Sequence, residues 1–347
     1  MHKTNEKLFR GVNLTQEEAF QSFNQIMKGN KDLINLTALI VGLKIKGEHP
    51  NEIAGAAKAL RLEASRFEKP NYTIADSCGT GGSGKHTLNI STLVSFIAAA
   101  KGMKMVKHGN RSVSSQCGSA DVLEKLGVNI NMSSETARTC LDSLGVTFLF
   151  APKYHKGIKH VMPVRESLKT RTIFNLLGPL INPAQPENQL MGVYSPEHCY
   201  TAAETLRLSG CKNAMVVHSC GCDEITLSGT TRVAHLKNGE IEVYDLSPAD
   251  FGLKESDLAE LIGGTADENA KQFLKVLQGK ASSSVNNIIA ANAGALFYLS
   301  GFSLDLKQGV IDALTIIESG QAYEKLIGLT EMSQIDVKNS QLEGALT

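Results

Sequence analysis

Between residues 76 and 92 the chain reads Asp76-Ser77-Cys78-Gly79-Thr80-Gly81-Gly82-Ser83-Gly84-Lys85-His86-Thr87-Leu88-Asn89-Ile90-Ser91-Thr92. Glycines let backbone N–H groups approach a ligand closely, and a helix starting just beyond adds about half a positive charge, so the segment has the chemistry of an anion cradle. Hydroxyls of Thr80, Thr87, Ser91 and Thr92 supply further donors or metal ligands. The spacing is neither a Walker A loop, which ends in Gly-Lys-Ser/Thr, nor the GxGxxG dinucleotide pattern, and taken alone it also suits a plain strand-to-helix turn. A second loop, Lys107-His108-Gly109-Asn110-Arg111, runs on through Ser112-Val113-Ser114-Ser115 to Gly118-Ser119-Ala120-Asp121. Two hydroxyl-rich, cationic loops at neighbouring strand ends form one site in an open α/β sheet, and Lys107 and Arg111 would offset phosphate charge there. The plainer readings are a solvated surface charge for Arg111 and a core residue for His108.

The surrounding elements are those such loops require. Helices open the chain: Thr15-Gln16-Glu17-Glu18 is a capping-box pattern ahead of Phe20, Phe23, Ile26 and Met27, and Asp32 caps a run striped by Leu33, Leu36, Leu39, Ile40 and Leu43. An Ala-rich helix follows from Asn51 to Ala64, and the stretch around Pro70 is a linker. To about residue 245 short β-like runs alternate with helices, the rhythm of a sheet with crossover connections. Tyr72 to Ala75, Met103 to Val106, Val146 to Phe150 and Ala214 to His218 are the strand candidates, with helices near 91–101, 118–126, 135–144 and 197–209. Pro163, Pro179, Pro183 and Pro186 interrupt this rhythm around a short helical run, Ile173 to Leu177, and the chain then returns to helices at Val285 to Leu299 and Leu306 to Glu318.

Composition narrows the function classes. With 347 residues the chain can bury a large core, and 35 basic against 35 acidic side chains leave no footprint of a nucleic-acid binder. No stretch approaches the ~20 apolar residues of a membrane span, and the start carries no signal core, so a cytoplasmic address is expected. Seven scattered cysteines read as reduced structural thiols, and Cys220-Gly221-Cys222 lacks zinc-knuckle spacing.

Gly79-Thr80-Gly81-Gly82, Asn89-Ile90-Ser91-Thr92, Lys107 to Arg111, Gly118 to Asp121, Pro163-Val164-Arg165, Arg171 to Leu180 with Asn182-Pro183, and Asp223-Glu224 together resemble, in order, the anthranilate phosphoribosyltransferases. The resemblance implies an α/β fold of the nucleoside phosphorylase/phosphoribosyltransferase-like kind: a small all-helical lobe plus a larger lobe with a mainly parallel central sheet flanked by helices. The implied division is residues 1–70 plus 166–188 for the small helical domain, dimerising and hinged, and 71–165 plus 189–347 for the large α/β domain. It implies transfer of the 5-phosphoribosyl group from 5-phosphoribosyl 1-diphosphate to the amine of anthranilate, releasing pyrophosphate, in tryptophan biosynthesis. No covalent nucleophile is required, since positioning and charge stabilisation carry such a reaction.

Carried over by position, the donor would be held by Gly79, Gly82, Ser83, Thr87, Asn89, Ile90, Ser91, Thr92, Lys107, His108, Gly109, Asn110, Arg111, Ser112, Val113, Ser114, Ser115 and Ser119. Anthranilate would meet Gly79, Asn110, His155 and the planar fork of Arg165. Two magnesium ions are implied, one on Ser91 and one on Asp223 with Glu224, since adjacent carboxylates repel unless a cation lies between them. A homodimer is implied, with neither nucleic acid nor membrane as partner. Three positions depart from the family pattern: Ser83 stands where Asp is usual, Lys169 where Gly is usual, and Cys222 where Leu is usual. These leave room for a paralogue with another acceptor, a non-catalytic nucleic-acid-binding relative, or a pyrimidine-nucleoside phosphorylase of the same architecture.

Overall fold

The computed structural model describes residues 1–30, 32–81, 87–112 and 116–336. Four helices come first: α1 (His2–Phe9), α2 (Gln16–Met27), α3 (Leu33–Lys46) and α4 (Pro50–Leu62). Their starts are written locally. Thr15 and Glu18 close the expected capping box, and Asp32 accepts from the Asn35 N–H at 3.0 Å. In α3, Leu36, Leu39, Ile40 and Leu43 are buried as the stripe requires, whereas Leu33 stays 44% exposed.

Beyond the linker lie seven strands: β1 (Ala75–Gly79), β2 (Met105–Gly109), β3 (Val146–Phe150), β4 (Asn188–Gly192), β5 (Asn213–Ser219), β6 (Thr231–Lys237) and β7 (Glu240–Leu246). They form one sheet in the order β3-β2-β1-β4-β5-β6-β7, parallel from β3 to β5 and antiparallel at β6 and β7. Successive strands leave β1 in one direction through β2 and β3, and the chain then returns to add β4 on its other side. That reversal is a topological switch point, where the carboxyl ends of β1 and β4 open a crevice. The intervening helices are α5 (Ile90–Ala100), α6 (Ser119–Lys125), α7 (Ser134–Leu144), α8 (Ala151–Tyr154), α9 (Met162–Leu168), α10 (Ile173–Leu177) and α11 (His198–Leu208). The chain closes with α12 (Ala266–Leu277), α13 (Ser283–Leu299), α14 (Leu306–Ser319) and α15 (Gln321–Met332).

The pleat divides the core in two. Leu190, Met215, Val217 and Val233 face one cluster with α5, α13 and α14, while Met191, Val193, Ala214, Val216, Ala234 and Leu236 face a second, shared with α11 and with helices α1 to α4. The N-terminal bundle is therefore packed onto one face of the sheet through α11.

Two strands begin later than the apolar runs suggest, at Ala75 rather than Tyr72 and at Met105 rather than Met103. Polar residues lie inside them, because buried Asp76 has a buried partner. Asn182 Nδ2, from the Pro-rich crossover, donates to Asp76 Oδ2 at 2.9 Å and to the Val106 carbonyl at 2.8 Å. That tie also fixes the crossover against the sheet. Left-handed Gly127 and Gly145 end α6 and α7.

Candidate active site

At the switch point, β1 ends at Gly79 and β5 runs into Asp223-Glu224. A Cβ on Gly79 would collide with the Asp223 carboxylate, and a Cβ on Gly192, at the end of β4, would collide with the Asp223 backbone carbonyl. Only glycine lets the three strand ends close on that aspartate. The Gly81 N–H donates to Asp223 Oδ2 at 2.6 Å, and Thr87 Oγ1 donates to Glu224 Oε2 at 3.1 Å. Thr87 also makes an antiparallel bridge with Ile262, so both ends of the glycine-rich loop are fixed to the acidic pair or its surroundings. Asp223 is buried and Glu224 half-buried. Desolvation, and then repulsion from Asp223, hold the Glu224 carboxyl well above its ordinary pKa.

Asn89 caps α5, with Oδ1 accepting from Asn269 Nδ2 at 3.2 Å and Nδ2 donating to the Cys117 carbonyl at 3.3 Å. It ties the first loop to the second and to α12. Ile90 puts its side chain in the core and gives its N–H to Leu88 O at 2.7 Å, so this stretch offers a ligand the polar groups around Ile90 rather than its side chain. Ser91 and Thr92 lie in the first turn of α5, where the Thr92 hydroxyl is buried without a hydrogen-bond partner among the described residues. Gly82 and Ser83 lie outside the described residues, as do Val113, Ser114 and Ser115.

The second loop is held by Asp121, which accepts from the N–H groups of Gly118 at 2.9 Å and Ser112 at 3.0 Å. A Cβ on Gly109 would collide with Ser119 Oγ, which itself donates to Asn110 O at 3.3 Å. Arg111 is not a bare cation: Glu124 and then Asp121 bind its guanidinium at 2.9 to 3.0 Å and raise its pKa. A phosphate drawing on Arg111 must compete with both acids. Lys107 is buried and reaches back to the His108 carbonyl at 3.4 Å, its charge lowering the pKa of buried Asp76 against desolvation.

On the crossover side, buried His108 meets buried His155 edge to face with ring centroids 5.2 Å apart. Burial pushes His155 down to about 4 and holds His108 well below its ordinary value, so both are neutral at pH 7. Arg165, on α9, has its guanidinium 5.6 Å from the Phe174 ring centre, and no carboxylate among the described residues pairs with it. Burial lowers its pKa without depriving it of charge. A half-buried fork without an acid partner is a site for an external carboxylate. Asn110 is exposed at the rim between the two loops. Gly192 and its wedge against Asp223 were not evident from residue types; a glycine closing an apolar strand run was the available signal.

The donor set suits magnesium. Among the described residues no group of three or more His, Cys, Asp or Glu side chains forms a cage. Magnesium is characteristically held by one or two carboxylates together with substrate phosphates, and a carboxylate pair beside an anion loop is that arrangement.

A helical bundle is thus joined to a mainly parallel sheet, with an anion loop and an acid pair at the switch point. The helical bundle domain of the glycosyl transferase family matches residues 4–64, and the a/b domain of that family matches residues 71–323. An anthranilate phosphoribosyltransferase of Serratia proteamaculans is 51% identical over 324 residues, 93% of this chain and 97% of its own. The crystal structure of the anthranilate phosphoribosyltransferase from Thermus thermophilus superposes with a TM-score of 0.91 at 39% identity, covering 95% of this chain and 99% of that one. The Saccharomyces cerevisiae enzyme, in complex with PRPP and Mg, gives 0.86 at 28% identity, covering 96% and 97%. The chain belongs to the anthranilate phosphoribosyltransferase family.

Proposed function

We infer that this chain transfers the 5-phosphoribosyl group of 5-phosphoribosyl 1-diphosphate to the amine of anthranilate, releasing pyrophosphate, in tryptophan biosynthesis. The observation that carries the reading is the convergence of the glycine loop on the acid pair, through Gly81 N–H to Asp223 and Thr87 Oγ1 to Glu224. An anion loop attracts the negative ligand that a pair of carboxylates repels, and a diphosphate carrying a divalent cation satisfies both. Bound there, magnesium supplies positive charge to the departing diphosphate oxygens. We assign one ion to Asp223 and Glu224 and a second to Ser91.

The residues of this chain do the rest. Gly79, Thr87, the 89–92 turn and the 107–112 loop with Ser119 orient the donor, and Gly82, Ser83 and 113–115 complete that set. Arg165 takes the carboxylate of anthranilate as a planar fork, and neutral His155 lines the acceptor with an uncharged ring; the weakly basic arylamine is itself unprotonated and open for attack. Positive charge develops on the anomeric carbon as the diphosphate leaves, so catalysis rests on alignment and on fixed dipoles at the leaving group.

With the chain divided into residues 1–70 plus 166–188 and the remainder, Arg165 falls at the sequence boundary between the two lobes. A homodimer through the helical lobe is supported by α3, where Ile34 and Ile45 are 85% and 81% exposed and lie on one stripe with Ala38 and Val41. A cytoplasmic setting is supported by seven cysteines that form no disulfide, and no described helix is long and apolar enough to cross a membrane.

The test mixes the chain with anthranilate, 5-phosphoribosyl 1-diphosphate and magnesium and follows loss of anthranilate fluorescence. Magnesium-dependent loss that Arg165→Ala suppresses is the expected result. Donor binding without turnover would mean another acceptor.

A further inference from the structure

Thr80 sits inside the anion loop, yet strand β4 and not the loop holds it. Its N–H donates to the Gly192 carbonyl at 3.0 Å, and its Oγ1 accepts from the Tyr194 N–H at 3.0 Å. The next residue, Gly81, gives its N–H to Asp223. The place of the loop's first residues, Thr80 and Gly81, is therefore set by how the chain leaves β4 at Val193 and Tyr194. The Tyr194 ring is fixed in turn. The Arg171 guanidinium lies 4.4 Å from its centre, and His198 meets it edge to face at 4.8 Å. Arg171 belongs to the crossover, and its carbonyl accepts from Lys44 Nζ of α3 at 2.7 Å.

We propose that Tyr194, clamped by Arg171, is a positioning residue for the donor loop, linking the helical bundle to the diphosphate site through Thr80. A guanidinium stacked on a tyrosine contributes about 0.5–2 kcal/mol depending on exposure, enough to select one backbone path where a bare turn has several. Tyr194 meets Thr80 through its backbone N–H, and Arg171 lies over the face of its ring. A substitution that keeps the ring must keep the effect.

The inference rests on the functional reading above, so the wild-type chain is assayed first. Steady-state kinetics are then measured for Tyr194→Leu, Tyr194→Phe, Arg171→Met and the double variant Tyr194→Leu/Arg171→Met, with melting temperatures alongside. For Tyr194→Leu the KM for 5-phosphoribosyl 1-diphosphate should rise about tenfold while the KM for anthranilate and kcat stay within about twofold. Tyr194→Phe should restore the donor KM, Arg171→Met should raise it, and the double variant should be no worse than Tyr194→Leu. A rise in both KM values together, full additivity in the double variant, or no rescue by Phe overturns the role. If Tyr194→Leu fails to fold, Arg171→Met carries the same test, and an unchanged donor KM there also overturns it. Wild-type turnover with an unmoved Tyr194→Leu refutes this inference alone, whereas absent wild-type turnover refutes the reading beneath it.

Discussion

The two sides of the site are built in opposite ways. On the donor side, glycines at 79 and 192 stand where any Cβ would strike Asp223, and the ligand-facing groups are backbone N–H donors and short hydroxyls on the tips of parallel strands. On the proposed acceptor side the groups are long or aromatic, Arg165 and His155, carried on or beside a Pro-rich crossover. There the chain has Lys169 in a left-handed conformation, φ +46°, where glycine would be unstrained. In the proposed reading a diphosphate is gripped through close backbone approach, which tolerates no side chain, while a flat aromatic acid is gripped by side chains that reach it. The donor half should therefore break on adding one carbon, and the acceptor half should lose function by degrees.

The sharpest way to break that contrast is Gly192→Ala. The added carbon meets the Asp223 carbonyl, which is backbone and cannot swing away, so a loss of about 3 kcal/mol or more in unfolding free energy is expected, with donor binding lost. Denaturant melts and calorimetric donor titration check it; a stable variant that binds the donor would mean the strand ends have slack.

The next effect in size is on the acceptor side and reads out as pH dependence. His155 is 4% exposed, and burial holds it down to about 4 in the folded chain against 6.5 in the unfolded one. Between those values the unfolded state binds the extra proton, so its contribution is full above pH 6.5 and is lost as pH falls toward 4, about 3 kcal/mol in all. Melting temperature against pH should fall less steeply in His155→Leu than in the wild type over that window. Equal slopes would show that this histidine is not held neutral by the fold.

Arg165→Ala should follow at about 2 kcal/mol, the weight of hydrogen bonds to a charged group, seen as a roughly 10- to 100-fold loss in kcat/KM for anthranilate with little change in donor affinity. The fork stands over Phe174 with no acid partner among the described residues, so its removal leaves no buried acid unpaired. If donor binding weakens equally, the two halves are not separate devices.

Much of this arrangement was legible because its signals are local. Thr15 with Glu18 and Asp32 with Asn35 name their helix starts in three or four residues, and the glycine-rich and cationic loops fall at the ends of β1 and β2 as their composition suggests. The polar interior of those strands was not legible, since Asp76 is acceptable only because Asn182, more than a hundred residues away, returns to it. Strand β4 escaped notice for the same reason, opening on buried Asn188 and Gln189. The hairpin of β6 and β7 had a signal that was passed over. Asn238-Gly239, both with positive φ at +54° and +81°, is the dipeptide a tight hairpin turn favours. The Arg111 ion pairs depend on which helix face Glu124 presents, and two residues' types alone do not specify that.

The smallest expected effect tests the acceptor side at a strained point. Lys169 ends α9, with its N–H on the Arg165 carbonyl at 3.1 Å, so the residue that bends the chain also closes the turn carrying the fork. A side chain in the left-handed region is disfavoured by about 1 kcal/mol relative to glycine, and Lys169→Gly should recover part of that, offset by the greater freedom of glycine in the unfolded chain. A rise in melting temperature of a few degrees or less is expected. If the strain merely accompanies this sequence, the KM for anthranilate stays put while stability rises. If the strain holds Arg165 in place, relaxing it raises the KM for anthranilate and leaves the donor KM alone. A shift in the donor KM instead would join the two halves that the glycines and the lysine set apart.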